Sequence, residues 1–368
     1  MKSKSKLYSI IFYLMHFLIC ILVFLTFFSI LLIYHGPFVN LKYYIVSTAM
    51  RTNKDKFFAT WFLPKKEIDD ILARTNPIIL NDKENLSNVK SQNTDSYQSS
   101  SNQSAKNLQD SQDSFNKNNS LAENGNSKNK QSDNDPKANS AVAIDIIDIA
   151  GKNYKGKLMI VKDPSKITVG LAPKLGEVGA TLSKIVKTDG AIGGINAGGF
   201  LDDNFLGTGS QPEGIIIEDG KIKFIQTGVS AFRIIGFNKD NVLVISNSMT
   251  LNEIMANNLR CAISFGPALI LNGKPLVTNG GATVAPRSAI AQRKDGTVLL
   301  LAIDGRQLDS IGANFMDLQE VLLKYGAYNA ANLDGGSSTT MNFQGKTINK
   351  PCDIAGERSI ASAFIVMP

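Results

Sequence analysis

Residues 285–306 read APRSAIAQRKDGTVLLLAIDGR. Val298 to Ile303 is a short, wholly apolar run, and such a run between turn residues has the signature of a buried strand. Asp295-Gly296 precedes it as a hairpin signal between strand-like runs. Asp304, Gly305 and Arg306 close it, which sets a carboxylate and a guanidinium at a strand end. That pair suits either the rim of a site or a plain surface ion pair.

Outward from this stretch, the same strand-like character recurs. It appears in AVAIDIIDI (141–149), GKLMIV (156–161), KITVGLA (166–172), GAIGGIN (190–196), EGIIIEDGKI (213–222), AFRIIGF (231–237), VLVIS (242–246) and ASAFIVM (361–367). Asp219-Gly220 and Asn272-Gly273 add two hairpin signals. Helical patterns are few. One covers Val178 to Val186; the other covers Phe315 to Tyr325, with apolar residues at Phe315, Leu318, Val321, Leu322 and Tyr325. The composition predicts an α+β fold over residues 141–368, with a mixed, largely antiparallel sheet, few helices and no internal repeat.

The chain upstream reads differently. Residues 7–34 carry no charge and exceed the roughly 20 residues that cross a hydrocarbon core. Lys2, Lys4 and Lys6 precede them, so the positive-inside rule makes residues 1–6 a cytoplasmic tail and 7–34 a transmembrane signal anchor. A cleaved signal peptide is the competing reading, but its apolar region is shorter, about 7–15 residues, and ends at small residues. The rest of the chain is then expected outside the cell. Residues 35–80 form a juxtamembrane segment of aromatic, aliphatic and basic residues, suited to a lipid interface or to docking on a partner. Residues 81–140 are rich in Ser, Asn and Gln and are expected to be a disordered tether.

Of the net charge of +7, residues 1–80 supply +6 and residues 141–368 only +2. The excess at the membrane end argues against a nucleic-acid partner. Both histidines, His16 and His35, also lie there. A domain without histidine performs no Ser-His-Asp or Cys-His catalysis and builds no imidazole zinc site. Cys261 and Cys352, far apart in sequence, are better read as unpaired thiols than as a disulfide.

Four patches gather glycine and polar groups at the ends of apolar runs. GGINAGGFLDD (193–203) places Asn196 at a strand end before Gly198 and Gly199, either as a structural turn or as a close approach to ligand. Arg287 and the Asp304-Gly305-Arg306 triplet form the second. NAANLDGGSSTTM (329–341) sets Asn332 and Asp334 before Gly335, Gly336, Ser337 and Ser338, a density of donors that ordinary turns rarely show. GERSIASAFIV (356–366) places Glu357 and Arg358 before a strand, and Glu213 precedes the strand of QPEGIIIEDGKI.

Together these motifs resemble the phosphodiester glycosidase family over nearly all of residues 141–368. NLDGGSSTTM is similar to the family's Asn-Leu-Asp-Gly-Gly-Gly-Ser signature, with Ser337 in place of the third glycine. INAGGF is similar to its Asn-Gly-Gly-Phe-Phe turn, with Ala197 and Leu201 as departures. The arginines of PRSAIA, DGR and ERSIA follow in the family's order.

The resemblance implies attack of water at the anomeric carbon of a sugar-1-phosphodiester in a surface or wall glycan, releasing free sugar and a phosphomonoester. Phosphate is a good leaving group that calls for charge stabilisation, which makes Arg287, Arg306 and Arg358 the catalytic arginines. A cationic transition state calls for a carboxylate, with Asp334 and Asp304 ahead of Glu213. Asn196, Gly198, Gly199, Asn332, Gly335, Gly336, Ser337 and Ser338 would bind substrate. No cofactor is expected. Two rival readings stand beside this one: a divalent-metal phosphoesterase holding Mg²⁺ or Ca²⁺ on Asp202, Asp203, Asp304 and Asp334, and a glycan-binding scaffold without turnover.

Overall fold

A computed structural model of the chain describes residues 2–51, 56–80, 143–201, 208–281 and 283–368. The expected tether, and Asp202 and Asp203, lie outside the described residues. The N-terminal apolar run forms one helix, Lys2–His35. Within it Phe12–His35 is long and apolar enough to cross a membrane.

The C-terminal domain is built on three main sheets. Every strand pair described in them is antiparallel. A seven-stranded sheet runs in the order 274–275, 268–271, 327–333, 287–293, 298–303, 155–161 and 144–150. One five-stranded sheet runs 243–250, 231–238, 259–263, 215–218 and 221–225. The other runs 346–347, 341–343, 193–196, 362–366 and 167–171.

Strand periodicity of two sorts the core into layers. Val298, Leu300 and Ala302 face the five-stranded sheets, packing with Ile235, Phe237, Ile195 and Phe364. Leu299, Leu301 and Ile303 face the helix Phe315–Lys324. Both faces of Val298–Ile303 are therefore buried, which is why the run has no alternation. The far faces of the five-stranded sheets are covered in turn. Helix Leu182–Thr188 packs on Ala363 and Ile365, and helix Leu251–Ala256 packs through Ile254 beside Ile215 and Ile234. The resulting order is helix, sheet, paired sheets, helices.

Asn314 caps the helix Phe315–Lys324 by accepting from Asp317 N at 3.0 Å, while Asp317 returns the bond from Asn314 N at 2.8 Å. This capping box fixes the predicted start. The expected helix at Val178 begins late, at Leu182, behind the Thr181 cap. Val178 and Ala180 are committed to bridges with Lys174 and Ile360, so the chain stays extended until Thr181. Asp219-Gly220 and Asn272-Gly273 have positive φ at both residues, as a two-residue hairpin turn requires. Cys261 and Cys352 are both free thiols.

Candidate active site

Strand register brings the motifs together. Arg287 pairs with Ile303 and Ser288 with Leu333. The start of strand 287–293 and the ends of 298–303 and 327–333 therefore share one end of the seven-stranded sheet. Asn196 pairs with Ala363 in the neighbouring sheet, a few residues beyond Arg358.

Asn196 joins the two sheets at this point. Its Nδ2 donates to the Asp334 carbonyl at 2.5 Å. Its Oδ1 accepts from Ser288 Oγ at 2.7 Å and from Thr340 N at 3.1 Å. The residue is fully buried. Asp334 N in turn donates to the Ala197 carbonyl at 2.9 Å. An amide with no exposed surface and these bonds fixes the backbone that carries Asp334, and its geometry is that of a positioning residue rather than a contact for sugar.

Asp334 follows the last residue of strand 327–333. Its carboxylate accepts from Gly335 N at 2.9 Å. Burial pushes its pKa up to about 6, against the opposing effects of the Ser338 hydroxyl, the Gly335 N–H and the Arg358 charge; Glu213 adds to the rise. Glu213 and Arg358 are thus each within electrostatic reach of Asp334. Glu213 lies close against Gly199. A Cβ there would lie 3.0 Å from Glu213 Oε2 and 2.9 Å from the Phe265 ring. Arg358 lies over the Phe200 ring, 5.0 Å from its centroid.

The glycine loop after Asp334 wraps the start of strand 287–293. Gly336 N donates to the Pro286 carbonyl at 2.8 Å, and a Cβ on Gly335 would meet that same oxygen at 2.8 Å. Gly336 has φ +60° and leaves room for the Arg306 guanidinium, 3.5 Å from where its Cβ would stand. Arg306 itself has φ +57°, an unusual conformation for a side chain of its size. Its Nη1 donates to Ser337 Oγ at 3.3 Å. Gly198 N donates to Ser362 Oγ at 3.1 Å.

Three predicted site residues have other work. The Arg287 guanidinium lies 4.3 Å from the centroid of Phe315, on the helix-covered face, and donates through Nε to the Ala313 carbonyl at 3.2 Å. Strand alternation makes the reason plain: Ser288 points toward Asn196, so Arg287 points the other way. Arg287 therefore packs against the layer beneath, on the face away from Asn196. Asp304 Oδ1 accepts from Lys350 N at 2.9 Å and Asn349 Nδ2 at 3.0 Å, so it pins the 349–350 segment. Burial raises the Asp304 pKa, with those two bonds acting in the opposite direction. Asn332 Nδ2 donates to the Gly266 carbonyl at 2.9 Å.

Glu357 accepts from Ser183 N at 2.9 Å and from the hydroxyls of Ser183 and Thr347. Sequence reasoning missed Ser288, Phe265, Ser362 and Asn349. Only Ser288 carried a signal, as the residue alternating with Arg287 on its strand. Among the described residues no three His, Cys, Asp or Glu side chains gather into a metal-binding group.

Residues 189–367 match the family model described as phosphodiester glycosidase. An uncharacterized SPbeta prophage-derived protein of Bacillus subtilis is 27% identical over 195 residues, 50% of this chain and 29% of that protein. Bovine N-acetylglucosamine-1-phosphodiester alpha-N-acetylglucosaminidase is 37% identical over 70 residues, 19% of this chain and 13% of that protein. The chain thus spans less than a third of the length of either relative. The catalytic domain of the zebrafish enzyme of that name, solved as auto-inhibited by its pro-peptide, shares the fold. Its TM-score is 0.52 at 24% identity, covering 63% of this chain and 85% of that one. Family match and fold point the same way: residues 189–367 match the phosphodiester glycosidase family model, and the domain shares the fold of the zebrafish catalytic domain.

Proposed function

We propose that the protein is a membrane-anchored phosphodiester glycosidase, acting outside the cell on a sugar-1-phosphodiester of a surface or wall glycan. The observation that carries the reading is the buried Asp334 carboxyl at the end of strand 327–333, which feels both the Arg358 and the Glu213 charge and is followed by the glycine loop that brings Ser337 to Arg306. Water adds to the anomeric carbon, the C–O bond to phosphate breaks, and the phosphomonoester leaves with the bonding electrons. Asp334 acts in its ionised form, either taking the proton from water or facing the cationic sugar carbon. Glu213 adds negative charge on the same side. Arg358 and Arg306 hold the phosphate oxygens, where the planar fork of guanidinium is worth more than a point charge. The backbone of Gly198, Gly199, Gly335 and Gly336, with Ser337 and Ser338, lets the substrate come close.

The test is to incubate the full-length chain in detergent with a defined sugar-1-phosphodiester in ¹⁸O-labelled water. Label in the free sugar, with an unlabelled phosphomonoester, is the expected result. Label in phosphate means that the P–O bond broke and overturns the mechanism.

A further inference from the structure

The segment between the apolar helix and residue 80 is more than a spacer. Helices Val39–Arg51, Phe57–Thr60 and Lys65–Thr75 pack on the end of the long helix, burying Tyr34, Val46, Ala59, Leu63 and Ile68 in one cluster. The Tyr34 hydroxyl donates to the Phe58 carbonyl, and its ring stacks on Phe62 with centroids 4.9 Å apart. The turn 57–61 is thereby fixed at the level of the last turn of the apolar helix. Phe57, Phe58 and Trp61 remain exposed there, Trp61 by 76%. Lys56, Lys65 and Lys66 flank them and are exposed too. Aromatic rings with basic neighbours at this depth suit the headgroup layer.

The same segment is docked on the sheet domain. Ile78–Ile79 pairs antiparallel with Val277–Asn279, and Leu80 N donates to the Leu276 carbonyl at 3.0 Å. Thr283 Oγ1 donates to Ser47 Oγ at 3.1 Å, both residues being buried. Gly281, at φ +75°, admits the Thr75 carbonyl, which a Cβ would meet at 2.6 Å. The chain next returns as Ile144–Ala150, the strand at one edge of the seven-stranded sheet.

We infer that residues 36–80 are a collar that rests on lipid through Phe57, Phe58 and Trp61 and clamps the catalytic domain to the membrane surface. Residues 81–143 then join two elements already seated on the same domain and do not set its reach. The enzyme works on glycan close to the bilayer. This inference rests on the anchor reading of Phe12–His35.

Trp61 is the only tryptophan in the chain, so its fluorescence reports the collar directly. The full-length protein is placed in vesicles of phosphatidylcholine and phosphatidylglycerol, with a site-specific protease sequence inserted near residue 110. Brominated lipid is expected to quench Trp61 severalfold more than aqueous iodide does. Protease is expected to cut the chain yet leave over nine-tenths of the C-terminal fragment on the vesicles. Gly281→Val should raise release severalfold, because the clamp loses its close approach. Preferential quenching by iodide, or release of most of the fragment from the unsubstituted chain, overturns the collar. Retention by Gly281→Val equal to that of the parent overturns the clamp at this contact. Extraction of the uncut chain by alkaline carbonate overturns the anchor and the collar together, whereas the other failures, in a chain that resists carbonate, leave the anchor standing.

Discussion

Asp334 binds its proton more tightly than an ordinary carboxylate because loss of hydration outweighs the bonds and the positive charge that favour the anion. A carboxyl whose folded pKa lies above its unfolded value contributes full stability only below the unfolded value, near 4. That contribution is lost as pH rises through about 6. Ionised Asp334 is therefore a cost to the fold at neutral pH, of at most about 3 kcal/mol. Asp334→Asn should thus divide activity and stability. Its kcat and kcat/KM should fall together by roughly a hundredfold or more. Its thermal midpoint at pH 7.5 should equal or exceed that of the parent, with the advantage gone below pH 4. A variant with parental kcat would remove Asp334 from the chemistry. The parent's kcat should carry an acidic limb near pH 6, from Asp334 itself, since no histidine is available in the domain to produce it.

The elements explain which parts of this site a sequence can reveal. Val298–Ile303 is legible because both its faces are buried, and Phe315–Lys324 because its apolar stripe and capping box agree. The two strands that carry most of the site are not. Arg287–Arg293 (RSAIAQR) and Ala327–Leu333 (AYNAANL) lie at the centre of the seven-stranded sheet, yet their alanines, Asn and Gln have little intrinsic preference for strand. Tertiary packing decides them. The same gap accounts for Arg287: its motif was visible, but the face it points to was not, because that needs the strand. The contacts of Asn196 were not legible either, since its partners Ser288 and Thr340 are 92 and 144 residues away.

Three outcomes follow from these placements. Arg287→Lys keeps the charge but loses its flat packing on Phe315; it should lower stability by about 1–2 kcal/mol with little change in KM for the phosphodiester. Arg358→Lys should do the reverse, raising KM or lowering kcat at least tenfold with an unchanged melting curve. Equal kinetic losses in the two variants would return Arg287 to the substrate. Asn196→Ala should lower kcat more than it raises KM, because it frees the backbone beneath Asp334 rather than a sugar contact.

For the whole molecule, the direction of insertion decides whether any of this chemistry meets a glycan. Lys2, Lys4 and Lys6 stand at the start of the apolar helix, while the collar and the family domain follow it. Lysine next to a span is retained on the cytoplasmic side, since moving charge across the bilayer is costly. The collar adds Lys42, Arg51, Lys54, Lys56, Lys65, Lys66 and Arg74 on the other side, set against Asp55, Glu67, Asp69 and Asp70, a net charge of +3 that matches the three lysines before the span. The flanking charges balance, so the proposed outer placement of the C-terminal domain rests on its order in the chain after an N-terminal span and is decided by accessibility. Protease added to intact cells should cut within residues 81–140, while an epitope tag placed before Lys2 stays protected until the cells are lysed. Protection of residues 81–140 in intact cells, with cleavage of the tag, would reverse the topology and leave the domain facing nucleotide sugars and phosphodiesters of the cytoplasm instead.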